Sequence, residues 1–258
     1  MPGSIDLEGE YFAALLRHMP LGILLDVDGT LLPYKRRPDE VVATPDLFAL
    51  VEAVARAPGI SLALVSGRPK DDLGNLFREP RSYALVAEHG AWRTGEGGWE
   101  ATLSLDPSAT DSLATELESV GKGTPNARIE RKTWSVAAHF RRVSEPFRAE
   151  FVARVEALAE PWLAAHPGFE MLRGVEALEV RPAGANKSTA VEWLRARLGP
   201  EARLLMFGDD LTDEDMFRVA SAEDATIVVD NGTPRATRAR WRVATPAHVR
   251  ELLEALLL

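Results

Sequence analysis

The chain has 258 residues, is 46% hydrophobic and 27% charged, and carries a formal net charge of −9. That composition suits one or two globular domains with a sizeable core, and the acidic balance offers no basic face of the kind a nucleic-acid binder needs. With no cysteine in the chain, disulfides, thiolate nucleophiles and zinc–thiolate sites are excluded. Met1 to Glu10 lack the charged-then-apolar pattern of a signal peptide, and no apolar run reaches the length of a membrane span. A soluble, cytoplasmic protein is the expectation.

Residues 9–18 read as a short leading helix. Leu21-Gly22-Ile23-Leu24-Leu25 then runs into Asp26-Val27-Asp28-Gly29-Thr30. A short apolar run of this kind reads as a fully buried strand of a parallel sheet. Residues two apart in an extended chain share a side, so Asp26 and Asp28 are expected to face together at the strand's C-terminal edge, where open α/β sheets bind ligands. Two carboxylates so close repel each other and resist burial. Either a hard divalent cation, Mg²⁺ above all, compensates them, or the stretch is a strand followed by an ordinary Asp-Gly turn. Gly29 permits a sharp turn, and Thr30 offers a hydroxyl and an amide to an anion. Residues 31–38, with Pro33 and Pro38, form an excursion rather than a helix.

Helical spacing follows over residues 45–57, with Thr44 as N-cap and Pro45 in the first turn. Ile60 to Val65 is a second buried strand, ending in Ser66-Gly67-Arg68-Pro69 before a helix-like segment at 70–77. A strand-to-helix junction aims backbone N–H groups at an anion; Ser66 adds a hydroxyl and Arg68 a guanidinium fork. The same residues also suit a plain turn. Tyr83 to Ala87 is a third apolar run, closed by Glu88-His89-Gly90, where His89 reads as a hydrogen-bonding group at a strand end or as a general base. Two strand-like pieces flank the Gly95–Gly98 turn.

The texture changes over residues 105–182. Helix-like segments at 107–120 and 145–160 alternate with strands at 127–131, 134–140, 169–173 and 176–181. Trp134, Val136, Ala138 and Phe140 fall on one face, and Ser135, Ala137 and His139 on the other, the pattern of a sheet with one covered and one open face. This region reads as a separate α+β domain, 105–182, inserted into a core of residues 1–104 and 183–258. Its open face carries Glu130, Lys132, His139, Arg141 and Glu179, which suit either a solvated surface or the grip on a polyhydroxylated group.

Lys187 precedes a helix at 188–198. A cation there runs against the helix dipole and suits a nearby anion, although an exposed loop lysine reads equally well. Arg203 to Phe207 is another buried strand, ending in Gly208-Asp209-Asp210-Leu211-Thr212-Asp213-Glu214-Asp215. Asp213 to Asp215 suit the start of a helix at 213–220, whereas Asp209 and Asp210 sit directly at the strand tip. A strand at 225–229 and a helix at 246–257 complete the chain. The expected fold class is α/β: a Rossmann-like doubly wound parallel sheet with a smaller inserted α+β cap domain. Its strand tips would gather Asp26, Asp28, Ser66, Arg68, Asp209 and Asp210 on one edge.

The order of aspartate pair, Ser66, Lys187 and acidic cluster resembles the four motifs of the haloacid dehalogenase superfamily of phosphohydrolases, and the insertion resembles that superfamily's C2-type cap. Gly208 through Phe217, Ser66-Gly67-Arg68, Ala87-Glu88-His89-Gly90, Glu130-Arg131-Lys132, His139-Phe140-Arg141 and Leu178 through Pro182 before Asn186-Lys187 are similar to trehalose-6-phosphate phosphatases. Two places depart from that pattern: Lys187-Ser188 stands where Lys-Gly is usual, and Val175-Glu176-Ala177 where a basic residue is common. The resemblance implies Mg²⁺-dependent hydrolysis of trehalose 6-phosphate to trehalose and phosphate through an aspartyl-phosphate.

In that reading Asp26 is the nucleophile and Asp28 the acid and then base. Lys187, Thr30, Ser66, Gly67 and Arg68 hold the phosphoryl group. Asp26, the Asp28 carbonyl and Asp209 hold the metal, with Asp210 and Asp213 orienting water, metal or Lys187 from outside. Glu130, Lys132 and Glu179 grip the sugar, supported by His139 and Arg141, through charge-assisted hydrogen bonds. The resemblance further implies a small-molecule sugar phosphate as substrate and the ability to work alongside a trehalose-6-phosphate synthase; a monomer is expected, and the charge and hydropathy pattern gives no nucleic-acid or membrane partner. Competing readings are a phosphatase for sucrose phosphate, a glycosyl phosphoglycerate or a hexose phosphate, a mutase or phosphotransferase, and a non-catalytic sugar-phosphate-binding partner of a glycosyltransferase.

Overall fold

The computed structural model describes residues 3–4, 14–15, 17–35, 40–78, 82–174, 176–232 and 235–258. Most of the leading helix read at 9–18 lies outside them, as do Arg36, Arg37 and Pro38 of the excursion and Val175. In chain order the strands and helices are β1 (Gly3–Ser4), β2 (Leu21–Asp26), α1 (Pro45–Arg56), β3 (Ile60–Val65), α2 (Lys70–Phe77), β4 (Ala84–Ala87), β5 (Trp92–Gly95) and β6 (Gly98–Ala101). There follow α3 (Asp111–Lys122), β7 (Arg128–Arg131), β8 (Val136–His139), α4 (Glu145–Ala165), β9 (Phe169–Arg173) and β10 (Ala177–Pro182). The chain ends with α5 (Ser188–Leu198), β11 (Arg203–Gly208), α6 (Glu214–Arg218), β12 (Ala225–Val229), β13 (Trp241–Val243) and α7 (Pro246–Ala255).

Two compact units result: Met1–Thr102 with Asn186–Leu258, and Leu103–Ala185. The larger unit holds a sheet ordered β1-β13-β12-β11-β2-β3-β4-β5-β6. From β2 the chain steps outward through parallel β3 and β4 on one side, then returns to build β11, β12 and β13, also parallel, on the other. The reversal falls between β2 and β11, and the ends of strands at such a point leave a crevice suited to ligands. β5 and β6 append an antiparallel hairpin to the β4 edge.

Every residue of β2 is buried, because helices cover both faces of the sheet. Ile23 and Leu25 join Leu64, Phe207 and the buried faces of α1 and α7, among them Leu47, Val51, Val249 and Leu252. Leu24 joins Ala63, Val65, Met206 and the α5 residues Ala190, Val191 and Leu194 on the other side. That double burial is why β2 reads as a continuous apolar run rather than an alternating one. It also fixes the site: Asp26 shares the side of Leu24, so it looks towards the start of α5. At α1 the expected cap forms, with the Thr44 hydroxyl accepting from the Leu47 N–H at 3.4 Å and Pro45 in the first turn.

The smaller unit is an antiparallel sheet ordered β7-β8-β10-β9, with α3 and α4 packed on one face. Leu113, Leu117, Phe151 and Val155 meet Val136, Ala138, Leu178 and Val180 there. Some elements differ from the expected ones. The segment expected at 107–120 divides into a 3₁₀ turn over Pro107–Thr110 and α3, and α4 continues past Pro161 to Ala165. The helix expected at 213–220 is a 3₁₀ turn over Leu211–Asp213 followed by the short α6. β13 was not expected at all, since three residues carry no period to read. Among the described residues no helix is long and apolar enough to cross a membrane.

Candidate active site

The tips of β2, β3 and β11 carry the polar groups of the larger unit. Asp26 ends β2 and is buried. The Lys187 ammonium, at the N-terminus of α5 and only 2% exposed, lies 2.5 Å from Asp26 Oδ1 and 2.7 Å from Asp213 Oδ1. The sequence anomaly of a cation at a helix start thus resolves as a buried ion pair with two carboxylates. Burial disfavours the ammonium, but Asp213 and Asp26 outweigh it and hold Lys187 ionised well beyond the usual lysine range.

Asp213 is fully buried and is a builder of the turn rather than a surface cap. Its Oδ2 accepts the backbone N–H groups of Asp209 at 2.8 Å and Asp210 at 2.9 Å. The approach is so close that a Cβ at Gly208 would sit 2.2 Å from Asp213 Cβ, which accounts for the glycine there. Asp210, expected beside the strand tip, is instead the N-cap: its carboxylate accepts from the Leu211 N–H at 2.7 Å, and with Asp213 it completes a capping box. Asp210 thus joins Asp213 in capping the turn.

Asp209 faces the loop that follows β2. Thr30 Oγ1 donates to Asp209 Oδ1 at 3.2 Å, so the hydroxyl expected to meet an anion meets a carboxylate. Gly29 adopts φ +88°, and a Cβ there would come within 2.3 Å of Asp209 Oδ2 and 2.5 Å of the Tyr34 ring. Both its conformation and the room around it require glycine. Burial, Asp213 and Asp210 raise the Asp209 carboxyl to about 7 against the opposing Tyr34 hydrogen bond and Lys187. Burial likewise raises Asp26, opposed by Lys187 and reinforced by Asp213 and Asp209.

Carboxylate oxygens of Asp26, Asp209 and Asp213 all lie within 4.8 Å of one another. Hard oxygen donors at this spacing, two of them held towards protonation by burial and by mutual repulsion, fit a divalent cation, which would keep them ionised. Asp28 turns its carboxylate elsewhere. Arg68 grips it bidentately, Nε to Oδ2 and Nη2 to Oδ1, each at 2.6 Å. Ser66 is buried, and its hydroxyl accepts from the Arg68 N–H at 3.2 Å. Gly67 packs against the His89 ring, 2.5 Å from where its Cβ would be, and His89 itself is buried at the end of β4.

In the smaller unit the register aligns Glu130, Ala137 and Glu179 across β7, β8 and β10. Lys132 Nζ pairs with Glu179 Oε1 at 2.7 Å, and the Ser135 hydroxyl donates to the same oxygen at 2.6 Å. Lys132, Ser135 and Glu179 are buried, so this end of the supposedly open face is not a solvated surface. Beside them Glu130 meets His139 Nε2 at 3.1 Å and Arg128 Nη2 at 2.9 Å. Burial opposes ionisation of Glu130, but the His139 hydrogen bond and the charges of Lys132 and Arg128 prevail and hold it down at about 2. Arg141 stands apart at the rim, exposed and paired with Glu176 at 2.9 Å.

Three residues here escaped the reading of motifs. Tyr34, 45% exposed, hydrogen-bonds to Asp209, and the burial of its hydroxyl together with Asp209, Asp210 and Asp26 pushes its ionisation far up. Asn231 Nδ2 donates to the Gly29 carbonyl at 2.8 Å, and Arg235 donates to the carbonyls of Asp209 and Asp210. None has a local signature, because each acts on a partner far away in sequence.

A family model described as Trehalose-phosphatase matches residues 24–247. The chain belongs to the trehalose-phosphatase family. It is 36% identical to the bifunctional trehalose-6-phosphate synthase/phosphatase of Thermoproteus tenax, an alignment covering 98% of this chain and 34% of that one. It is 30% identical to the trehalose-6-phosphate phosphatase of Escherichia coli K12 over 90% of this chain and 84% of that one. The chain thus spans about a third of the length of some curated relatives. In fold it is similar to the C-terminal domain of Candida albicans trehalose-6-phosphate phosphatase, with a TM-score of 0.86 and 22% identity, covering 100% of this chain and 99% of that one.

Proposed function

We propose that the chain is a Mg²⁺-dependent phosphatase that hydrolyses trehalose 6-phosphate to trehalose and phosphate, with residues 105–182 serving as its cap domain. The observation that carries this reading is the joint approach of Lys187 to Asp26 and Asp213 at 2.5 and 2.7 Å, at the strand tip where Asp209 also converges. A buried ammonium, a buried carboxylate nucleophile and a set of hard donors suit transfer of a phosphoryl group better than any structural need.

Asp26 engages Lys187 through Oδ1, so Oδ2 is the oxygen offered to the phosphorus. Attack forms the Asp26–phosphorus bond and breaks the bond from phosphorus to the sugar oxygen, giving an aspartyl-phosphate. Asp28 donates the proton that the leaving sugar oxygen needs and takes one back from the water that cleaves the intermediate. Before that, its bidentate grip by Arg68 must pass to the substrate's phosphoryl oxygens, which a guanidinium fork fits as well as a carboxylate. Lys187, Thr30, Ser66 and the Gly67 backbone cradle the remaining oxygens. Mg²⁺, held by Asp26, Asp209 and the Asp28 carbonyl with Asp213 beside them, would neutralise charge developing on the transferring group. Glu130, Lys132 and Glu179, with His139 and Arg141, would grip the sugar hydroxyls.

The test is phosphate release from trehalose 6-phosphate beside sucrose phosphate and hexose phosphates, each with Mg²⁺ and with EDTA. Preference for trehalose 6-phosphate, loss in EDTA and loss on Asp26→Asn support the reading. Preference for another sugar phosphate would sink the substrate while leaving the chemistry. Full turnover by the Asp26→Asn protein would sink both.

A further inference from the structure

Two residues of the segment after β12, Asn231 and Arg235, have no part in the chemistry above, yet both reach the tip of β11. The peptide units of Asp209 and Asp210 have left the sheet, and side chains meet their polar groups, the Asp210 carbonyl also accepting from the Asp213 N–H at 3.1 Å. Asp213 Oδ2 accepts both N–H groups. On the opposite side Arg235 takes both carbonyls, Nε to Asp209 at 2.9 Å and Nη2 to Asp210 at 2.6 Å. The third nitrogen of the same guanidinium, Nη1, donates to Glu214 Oε1 at 2.5 Å. Glu214 in turn accepts from the Thr237 hydroxyl at 2.7 Å and the Arg238 N–H at 2.8 Å. The guanidinium is therefore neutralised by Glu214, and its reach to the tip is fixed by that anchor.

Asn231 supplies a second brace. Its Nδ2 donates to the Gly29 carbonyl at 2.8 Å and lies 3.4 Å from Asp209 Oδ2, tying the loop after β2 to the loop after β11. Asp26 ends β2 where the first of those loops begins, and Asp209 opens the second. A cation held between them feels any change in their separation, because hard cations demand a narrow range of metal–oxygen distances. Residues that orient ligands without touching the metal commonly govern affinity by 10- to 100-fold, on the order of what the ligands' alignment is worth.

We propose that Arg235 and Asn231 are positioning residues that set the affinity of the Asp26 and Asp209 carboxylates for their divalent cation, one by clamping the carbonyls of the 209–210 turn and the other by joining that turn to the Gly29 loop. This rests on the phosphatase reading given above. Neither residue touches phosphorus or the leaving group, so each acts on the step through Asp209.

The experiment is calorimetric titration of the whole chain with MgCl₂ alone, without substrate, for the parent, Arg235→Met, Arg235→Lys and Asn231→Gly. Asn231 is exposed and has φ +49°, a conformation glycine adopts freely, so that variant removes the amide with little demand on the fold. The Kd for Mg²⁺ should rise about 10-fold in Arg235→Met and a few-fold in Asn231→Gly, with Arg235→Lys between parent and Met. In kinetics, the Mg²⁺ concentration for half-maximal rate should rise by a larger factor than kcat falls. Unchanged Mg²⁺ affinity in both Arg235→Met and Asn231→Gly, whether or not the melting temperature moves, overturns the proposal. A parent chain that binds no Mg²⁺ overturns the metal-dependent reading and this inference together.

Discussion

Replacing Lys187 with methionine tests the centre of the site without any substrate. Methionine fills much of the lysine stem's volume, so the perturbation is largely the loss of one ammonium 2.5 Å from Asp26 and 2.7 Å from Asp213. All three groups are buried. Removing one partner of a buried ion pair typically costs about 3–5 kcal/mol, because the other charge stays buried and uncompensated. A protein of this size melts about 2–4 °C lower per kcal/mol, which puts the variant on the order of 6–20 °C below the parent.

The assay is thermal unfolding by circular dichroism in EDTA near pH 7. Lysine ionisation is raised here from 10.5, so the stabilisation is fully present below that pH and is lost only as pH climbs through the folded-state value. Neutral pH therefore lies inside the window in which the lysine carries its charge. Adding Asp26→Asn to Lys187→Met removes one of the two stranded carboxylates and should restore part of the loss, a positive coupling readable from the double-mutant cycle. A Lys187→Met protein melting within about 2 °C of the parent, against a loss of the size expected for a buried pair, would refute the claim that this lysine is a buried counter-ion.

The remaining predictions concern other parts of the chain. Glu130 is held down at about 2 from an ordinary 4.5, so its contribution to stability is present above pH 4.5 and is lost as pH falls towards 2. Glu130→Gln should flatten the acid limb of stability against pH over that window, and a limb unchanged in slope would contradict the pairing with His139. Gly29→Ala should lower the melting temperature and weaken Mg²⁺ binding together, since φ +88° and a 2.3 Å approach to Asp209 both oppose a Cβ. Asp224→Ala should cost about 1–3 kcal/mol in urea unfolding, because it strands the buried Leu204 N–H while Arg195, 30% exposed, can turn to water. Asp224 is fully buried and accepts from Arg195 at 2.5 Å, the Leu204 N–H at 2.9 Å and the Ser221 N–H at 2.6 Å.

The central strands were legible because helices cover both faces of the sheet, which leaves an unbroken apolar signature in β2, β3, β11 and β12. Lys187 was legible as an anomaly, a cation where a helix start disfavours one. Other features depended on partners that no local pattern announces. Asp213 reads as a helix-start residue, yet its ionic partner Lys187 lies 26 positions earlier. Arg68 reads as an anion binder, yet in this arrangement it holds Asp28, 40 positions away. Lys132 and Glu179 alternate as an exposed face should, but alternation reports which side of a strand a residue is on and not what lies over that side. Asp224 sits in Ser221-Ala222-Glu223-Asp224, a sequence that reads as surface, and only tertiary contact makes it a core acceptor.

The charges of the larger unit's site are arranged so that one carboxylate is fully spent and two are not. Asp213 gives Oδ1 to Lys187 and Oδ2 to two backbone N–H groups, so its negative charge is consumed in holding the turn. Among the described residues Lys187 is the cation paired with Asp26, and Asp209 has neutral donors, Thr30, Tyr34 and Asn231. Burial and then repulsion push both of these upward, Asp209 to about 7. A structural network would satisfy all three equally, since incomplete compensation costs stability. Leaving Asp26 and Asp209 short of positive charge, while pinning the third acid completely, is the distribution the proposed site needs if an arriving divalent cation supplies that charge. The unspent electrostatic demand is then directed at the cation rather than at the fold.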